Sequence, residues 1–202
     1  MLKTKKSEPT GGSGAIPRRA FARPGARPSP GAASYDSATK PPGEATRLRV
    51  SHARLTDAGT LLVAHMDLGK VVEYDLTGRA LWSVAVPGVW SAVPLKHGNI
   101  LVASNQKFVR ELNRQGETVW EWQPKDTPEY KMSNLQLATR LPNGNTLIND
   151  WFNQWSDRVD PATAGVQAIE VTPDKKVVWA LRSWEDPANL GPATTIQILP
   201  KL

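Results

Sequence analysis

The sequence predicts an all-β body, and two observations predict it. A phrase recurs three times: a leucine, a polar turn with a glycine, a short apolar run, a second turn and a closing tryptophan. Its leucines are Leu55, Leu95 and Leu141, spaced by 40 and 46 residues. Its glycines are Gly59, Gly98 and Gly144, and its tryptophans are Trp82, Trp120 and Trp179. Helical periodicity, by contrast, is nowhere sustained for more than about two turns after residue 46.

Each unit supplies four short strands in order. The first run ends at the leucine: VSHARL (50–55), WSAVPL (90–95) and LQLATRL (135–141). The polar turn then reverses the chain, and Asn143–Gly144 predicts a type I′ hairpin, in which both central residues want positive φ. A second apolar run follows, then a third strand carrying Glu73, Glu111 or Glu170. KVVEYDL and KFVRELN show the broken alternation of half-buried strands. A second turn (LTGR, RQGE or TPDKK) leads into the strand that ends at the tryptophan, nine residues after the glutamate in every unit.

A repeat of about 40 residues with four strands predicts β-propeller blades. The blades fall at about 47–86, 87–124 and 133–184, with the first strand of each innermost. ATTIQILP, residues 193–200, matches an innermost strand a fourth time. The expectation is an incomplete β-propeller of about three four-stranded blades plus one extra strand. Rings close with four to eight blades, so the chain is expected to be a fragment of a longer propeller. The alternative is self-association through its unpaired blade faces. The recurrent tryptophans are expected between blades, since aromatics carry inter-sheet packing. The repeated glutamates are expected in structural roles, because an active site seldom recurs once per repeat.

Residues 1–46 differ in kind. They hold seven Pro and six Gly, no Trp, and eight basic against three acidic residues, so +5 of the chain's +6 charge lies there. Such a segment buries too little to offset its ordering entropy, and it is expected to be a disordered, solvated tail ahead of a 47–202 body. The high isoelectric point therefore belongs to the tail, and no specific nucleic-acid face is expected on the body. The chain contains no cysteine, which excludes disulfides, thiolate metal sites and cysteine nucleophiles. No run of 18 apolar residues predicts a transmembrane helix, and no apolar stretch follows the first lysines as a secretory signal requires.

LPNGNTLI (141–148), IEVTPDKKVVWAL (169–181) and GPATTIQIL (191–199) resemble the PQQ-like, or quinoprotein-like, β-propeller repeat family across about residues 47–199. That resemblance implies the scaffold. Its enzymes would add a quinone held against a tryptophan, a calcium ion and a catalytic Asp. Calcium takes six to eight oxygen ligands, whereas Asp57, Asp67, Asp75, Asp150, Asp157 and Asp160 are dispersed along the chain. No cofactor or metal is therefore expected, PQQ with calcium entering by resemblance alone. The resemblance leaves the compartment open, since related propellers are often exported.

Arylsulfotransferase-like propellers use similar phrases, and that resemblance implies a nucleophilic histidine near the axis. His52, on an expected innermost strand, is the best placed of the three histidines. The insertion WFNQWSDRVDPATAGVQ (151–167) interrupts the third unit. Loops on rigid scaffolds carry function, so Trp151 and Trp155 are the candidate binding residues. The functional expectation is a binding or scaffold module, its partner a protein or a small molecule. A quinone-dependent oxidoreductase or sulfotransferase-like enzyme is the alternative.

Overall fold

A computed structural model of the chain describes residues 50–151 and 160–197. The basic tail and Trp155 lie outside the described residues. The described part contains three antiparallel four-stranded sheets in strict sequence order. Sheet 1 comprises β1 (Val50–Leu55), β2 (Leu61–His65), β3 (Lys70–Tyr74) and β4 (Ala80–Ala85). Sheet 2 comprises β5 (Val89–Pro94), β6 (Ile100–Ser104), β7 (Phe108–Leu112) and β8 (Thr118–Trp122). Sheet 3 comprises β9 (Leu135–Arg140), β10 (Thr146–Asp150), β11 (Ala168–Val171) and β12 (Val177–Leu181). β5 packs against both β1 and β9, so the first strands lie innermost as expected.

The sequence of β6, ILVAS, shows why the sheets stack. Ile100 and Val102 join Leu62, Val71 and Phe108 in the core between sheets 1 and 2. Leu101 and Ala103 join Leu135, Ile148 and Ile169 in the core between sheets 2 and 3. Successive side chains point to opposite faces, and both faces are covered, so the strand is apolar throughout rather than alternating. Each large aliphatic side chain buried this way contributes about 1.5–3 kcal/mol.

The hairpin at 141–145 is not the I′ turn expected from Asn-Gly. Gly144 has φ +87°, while Asn143 is not among the residues with positive φ. Gly144 N–H donates to Leu141 O (3.0 Å) and Leu141 N–H to Asn145 O (2.8 Å), a type I turn closed by a left-handed glycine. Pro142 at the second turn position suits type I. Asn143 turns its side chain to local bonding instead, its Oδ1 accepting from Asn145 N–H at 3.0 Å. The same backbone pattern recurs at Thr56–Thr60 and Leu95–Asn99.

The nine-residue interval from Glu to Trp has a geometric cause. Glu73 faces Trp82, Glu111 faces Trp120 and Glu170 faces Trp179 as cross-strand partners of the third and fourth strands. A register shift follows the glutamate in all three sheets. Paired residues share a face, so each sheet presents one carboxylate beside one indole.

The extra strand expected at 193–200 has no ladder over 193–197, its described part. The segment is tied to sheet 3 by Asn149 Nδ2–H, which donates to Ala193 O at 2.8 Å. An innermost strand gains a ladder when a second strand lies beside it, and none does among the described residues.

Candidate functional site

Two polar systems stand out, and they do different work. The first joins the sheets. Trp82 Nε1–H donates to Arg114 O (2.9 Å), and Trp120 Nε1–H to Pro173 O (2.8 Å), each in the second turn of the next sheet. Arg114 pairs with Glu73 and lies over the Trp82 ring. Arg140 pairs with Glu111 at 2.7 Å and lies over the Trp120 ring. Each arginine also donates to a turn-glycine carbonyl of its own sheet, Gly98 O (2.9 Å) or Gly144 O (3.1 Å). Burial pushes Glu73 and Glu111 up, but hydrogen bonds from Thr60 and Arg114, and from Asn99 and His97, outweigh it. Both carboxyls end below their ordinary value. Both glutamates are thus bonded to side chains of their own and the next sheet.

The second system lies at the sheet ends where first strands begin and second strands finish. There the insertion after β10 meets the long connection from β8 to β9. Asp150, at the end of β10, is 4 % exposed. It accepts from Ser133 N–H (2.9 Å), Asn134 N–H (2.6 Å) and the Ser133 hydroxyl (3.2 Å). Burial pushes its carboxyl up more than those bonds and Lys107 pull it down. The connection is also held by the backbone: Trp151 N–H donates to Asn134 O (2.8 Å) and Val166 N–H to Lys131 O (3.2 Å). Gly165 is required there, because a Cβ would stand 2.2 Å from Lys131 O.

Beside this clamp opens a cavity of about 450 Å³ bordered by Tyr130, Lys131, Met132, Ser133, Asp150 and Gly165. Trp151, the residue after Asp150, meets Trp90 of β5 edge to face, the rings 5.8 Å apart at 63°. The pair brings two aromatic rings together from β5 and the start of the insertion, next in the chain to Asp150, which borders the cavity.

Of the residues singled out from sequence, Trp151 stands at this site. His52 does not: its Nδ1–H donates to Ala92 O at 3.1 Å, across from sheet 1 to sheet 2. A carbonyl only accepts, so that bond fixes the tautomer and leaves Nε2 unprotonated in the neutral ring. Burial and Arg54 hold the His52 pKa below its ordinary value. The sequence reading missed Trp90 and Asp150. One signal for Asp150 was available: it occupies the second-strand position that His65 and Ser104 fill in the other sheets, and all three are buried and polar. Among the described residues no three His, Asp or Glu side chains converge into a group suited to a metal ion.

No protein-family model and no curated protein matches the sequence. Several solved structures resemble the chain. A protein of unknown function from Bacteroides caccae shares 26% identity with a TM-score of 0.56, over 65% of this chain and 48% of its own. Virginiamycin B lyase from Staphylococcus aureus shares 14% identity at a TM-score of 0.44, over 62% of this chain and 38% of its own. The WD40 β-propeller domain of Doa1 shares 13% at 0.41, over 66% and 48%. The chain therefore spans about half, or less, of the length of these proteins. Its successive four-stranded sheets, packed together at their inner strands, make it a β-propeller-type protein. No helix among the described residues is long and apolar enough to cross a membrane.

Proposed function

We propose that this chain is a binding or scaffold module of the PQQ-like repeat kind, part of a larger propeller assembly, without catalysis of its own. The ligand site is the insertion-bearing end, where a planar or apolar group of a protein or small molecule rests on Trp90 and Trp151. The observation that carries this reading is the Trp90–Trp151 pair next to the Asp150-clamped loop and its cavity. It is supported by the engagement of the polar candidates in the fold: His52 bridges sheets 1 and 2, Asp150 holds backbone donors, and Glu73 and Glu111 pair with arginines.

The test separates this reading from the quinone-dependent one. PQQ with calcium is titrated into the protein while tryptophan emission is followed. The binding reading expects no saturable, chelator-sensitive quenching, and micromolar quenching abolished by chelator overturns it. A screen of planar aromatic ligands should instead find quenching that Trp90→Ala and Trp151→Ala each weaken.

A further inference from the structure

We propose that the ligand of the insertion-bearing end is a small aromatic monocarboxylate whose charged group is held by Lys125 and Lys131. This rests on the reading of that end as the ligand site and adds the chemistry of what enters it. The cavity there, about 450 Å³, falls within the roughly 300–1,000 Å³ of small-molecule sites. Pro124, Pro128, Tyr130 and Met132 form its apolar border, and Lys125, Lys131 and Asp150 its charged one.

Both lysines belong to the β8–β9 connection, six positions apart. The backbone places Lys131: its carbonyl accepts from Val166 N–H at 3.2 Å, with Gly165 close against it. Among the described residues neither lysine makes an ion pair.

The acids around them are taken. Asp126 pairs with Lys175 at 3.3 Å and accepts from Gln123 N–H at 2.9 Å. Glu121 pairs with Arg110 and accepts from the Gln123 amide. Lys125 stands near enough to help lower the Glu121 pKa without pairing with it. Asp160 accepts from Ala162 N–H (3.0 Å) and the Thr163 hydroxyl (3.2 Å) of its own turn. Asp150 is turned to Ser133 and Asn134, and burial disfavours its charge. Glu129 is exposed and outside the cavity border.

Two ammonium groups against the single carboxylate of Asp150 leave one positive charge over. A monoanion cancels that charge, and a dianion exceeds it. Lysine is a compact charge on a flexible stem with rotatable donors, so both ammonium groups can converge on the oxygens of one carboxylate. Neither supplies the planar fork with which arginine grips phosphate. Tyr130 and Met132 suit an aromatic body, by ring–ring and sulfur–ring contact.

Calorimetric titration of the full chain with cinnamate, its neutral amide cinnamamide and inorganic phosphate tests this. At low salt cinnamate should bind at least about tenfold tighter than cinnamamide, and added salt should narrow the margin. Lys125→Gln and Lys131→Gln should each weaken cinnamate at least about threefold and leave cinnamamide within about twofold. Equal affinities for acid and amide overturn the proposal, and the ligand-site reading survives them if Trp90→Ala or Trp151→Ala weakens both. A preference for cinnamate indifferent to both lysine variants overturns it, as does phosphate binding more tightly than cinnamate. Binding of neither aromatic probe overturns it too, and the screen of planar ligands then decides the ligand-site reading by itself. If either variant loses the circular dichroism of the parent, the contrast between acid and amide on the unmodified chain, with its salt dependence, decides.

Discussion

Asp150 shows how much one buried side chain holds here. Two backbone N–H groups and a hydroxyl of the β8–β9 connection end on its oxygens. Asp150→Ala leaves those donors buried without a partner, which costs about 1–3 kcal/mol per group. Urea denaturation should show a loss of at least about 3 kcal/mol, and hydrogen exchange at Ser133 and Asn134 should quicken. The joint glutamates predict the acid behaviour. Glu73 and Glu111 have folded pKa values below their ordinary 4.5. Their contribution is therefore complete above pH 4.5 and is lost as pH falls through the lower folded values. Asp150, shifted up, acts in the opposite sense, favouring the fold as it protonates. The melting temperature should fall below pH 4.5, and Glu111→Gln should flatten that fall.

Between elements, the unit of stability is the joint. Trp120→Phe keeps most of the aromatic area and removes the bond to Pro173 O. It should cost about 1 kcal/mol by chemical denaturation. Trp179→Phe should leave stability nearly unchanged, because that indole has no acceptor among the described residues. This contrast also marks how far the sequence could be read. The strands, the turns and the glutamate–tryptophan spacing were legible because they recur at fixed positions. The arginines were not. Arg114 and Arg140 play one role from two different repeat positions, so no column of the repeat shows an arginine every time. The site was half legible: Trp151 stood out on an insertion, whereas Trp90 meets it through a contact between residues 61 positions apart. No spacing rule reaches that far.

At the scale of the whole molecule, the three sheets form a short linear array with contacts between neighbours. Stability in such arrays is close to a sum of sheet terms and joint terms. Removing one joint should therefore uncouple its two sides. Trp82→Ala combined with Arg114→Ala should split a single calorimetric transition into two, with sheet 1 melting first. A single transition at a lower temperature would show that the apolar core between sheets 1 and 2 couples them without the polar joint.

The joint also gives the chain a grammar for its own rearrangement. A sheet asks its successor for an arginine and a turn carbonyl and is indifferent to which successor supplies them. Excising the middle sheet, residues 87–124 or so, would bring Glu73 and Trp82 against Arg140 and Pro173, a pairing that Glu111 and Trp120 already make. The shortened chain should still fold. Whole blades can thus be gained or lost by duplication and deletion without inventing a new contact, whereas loss of half a blade strands every partner it had.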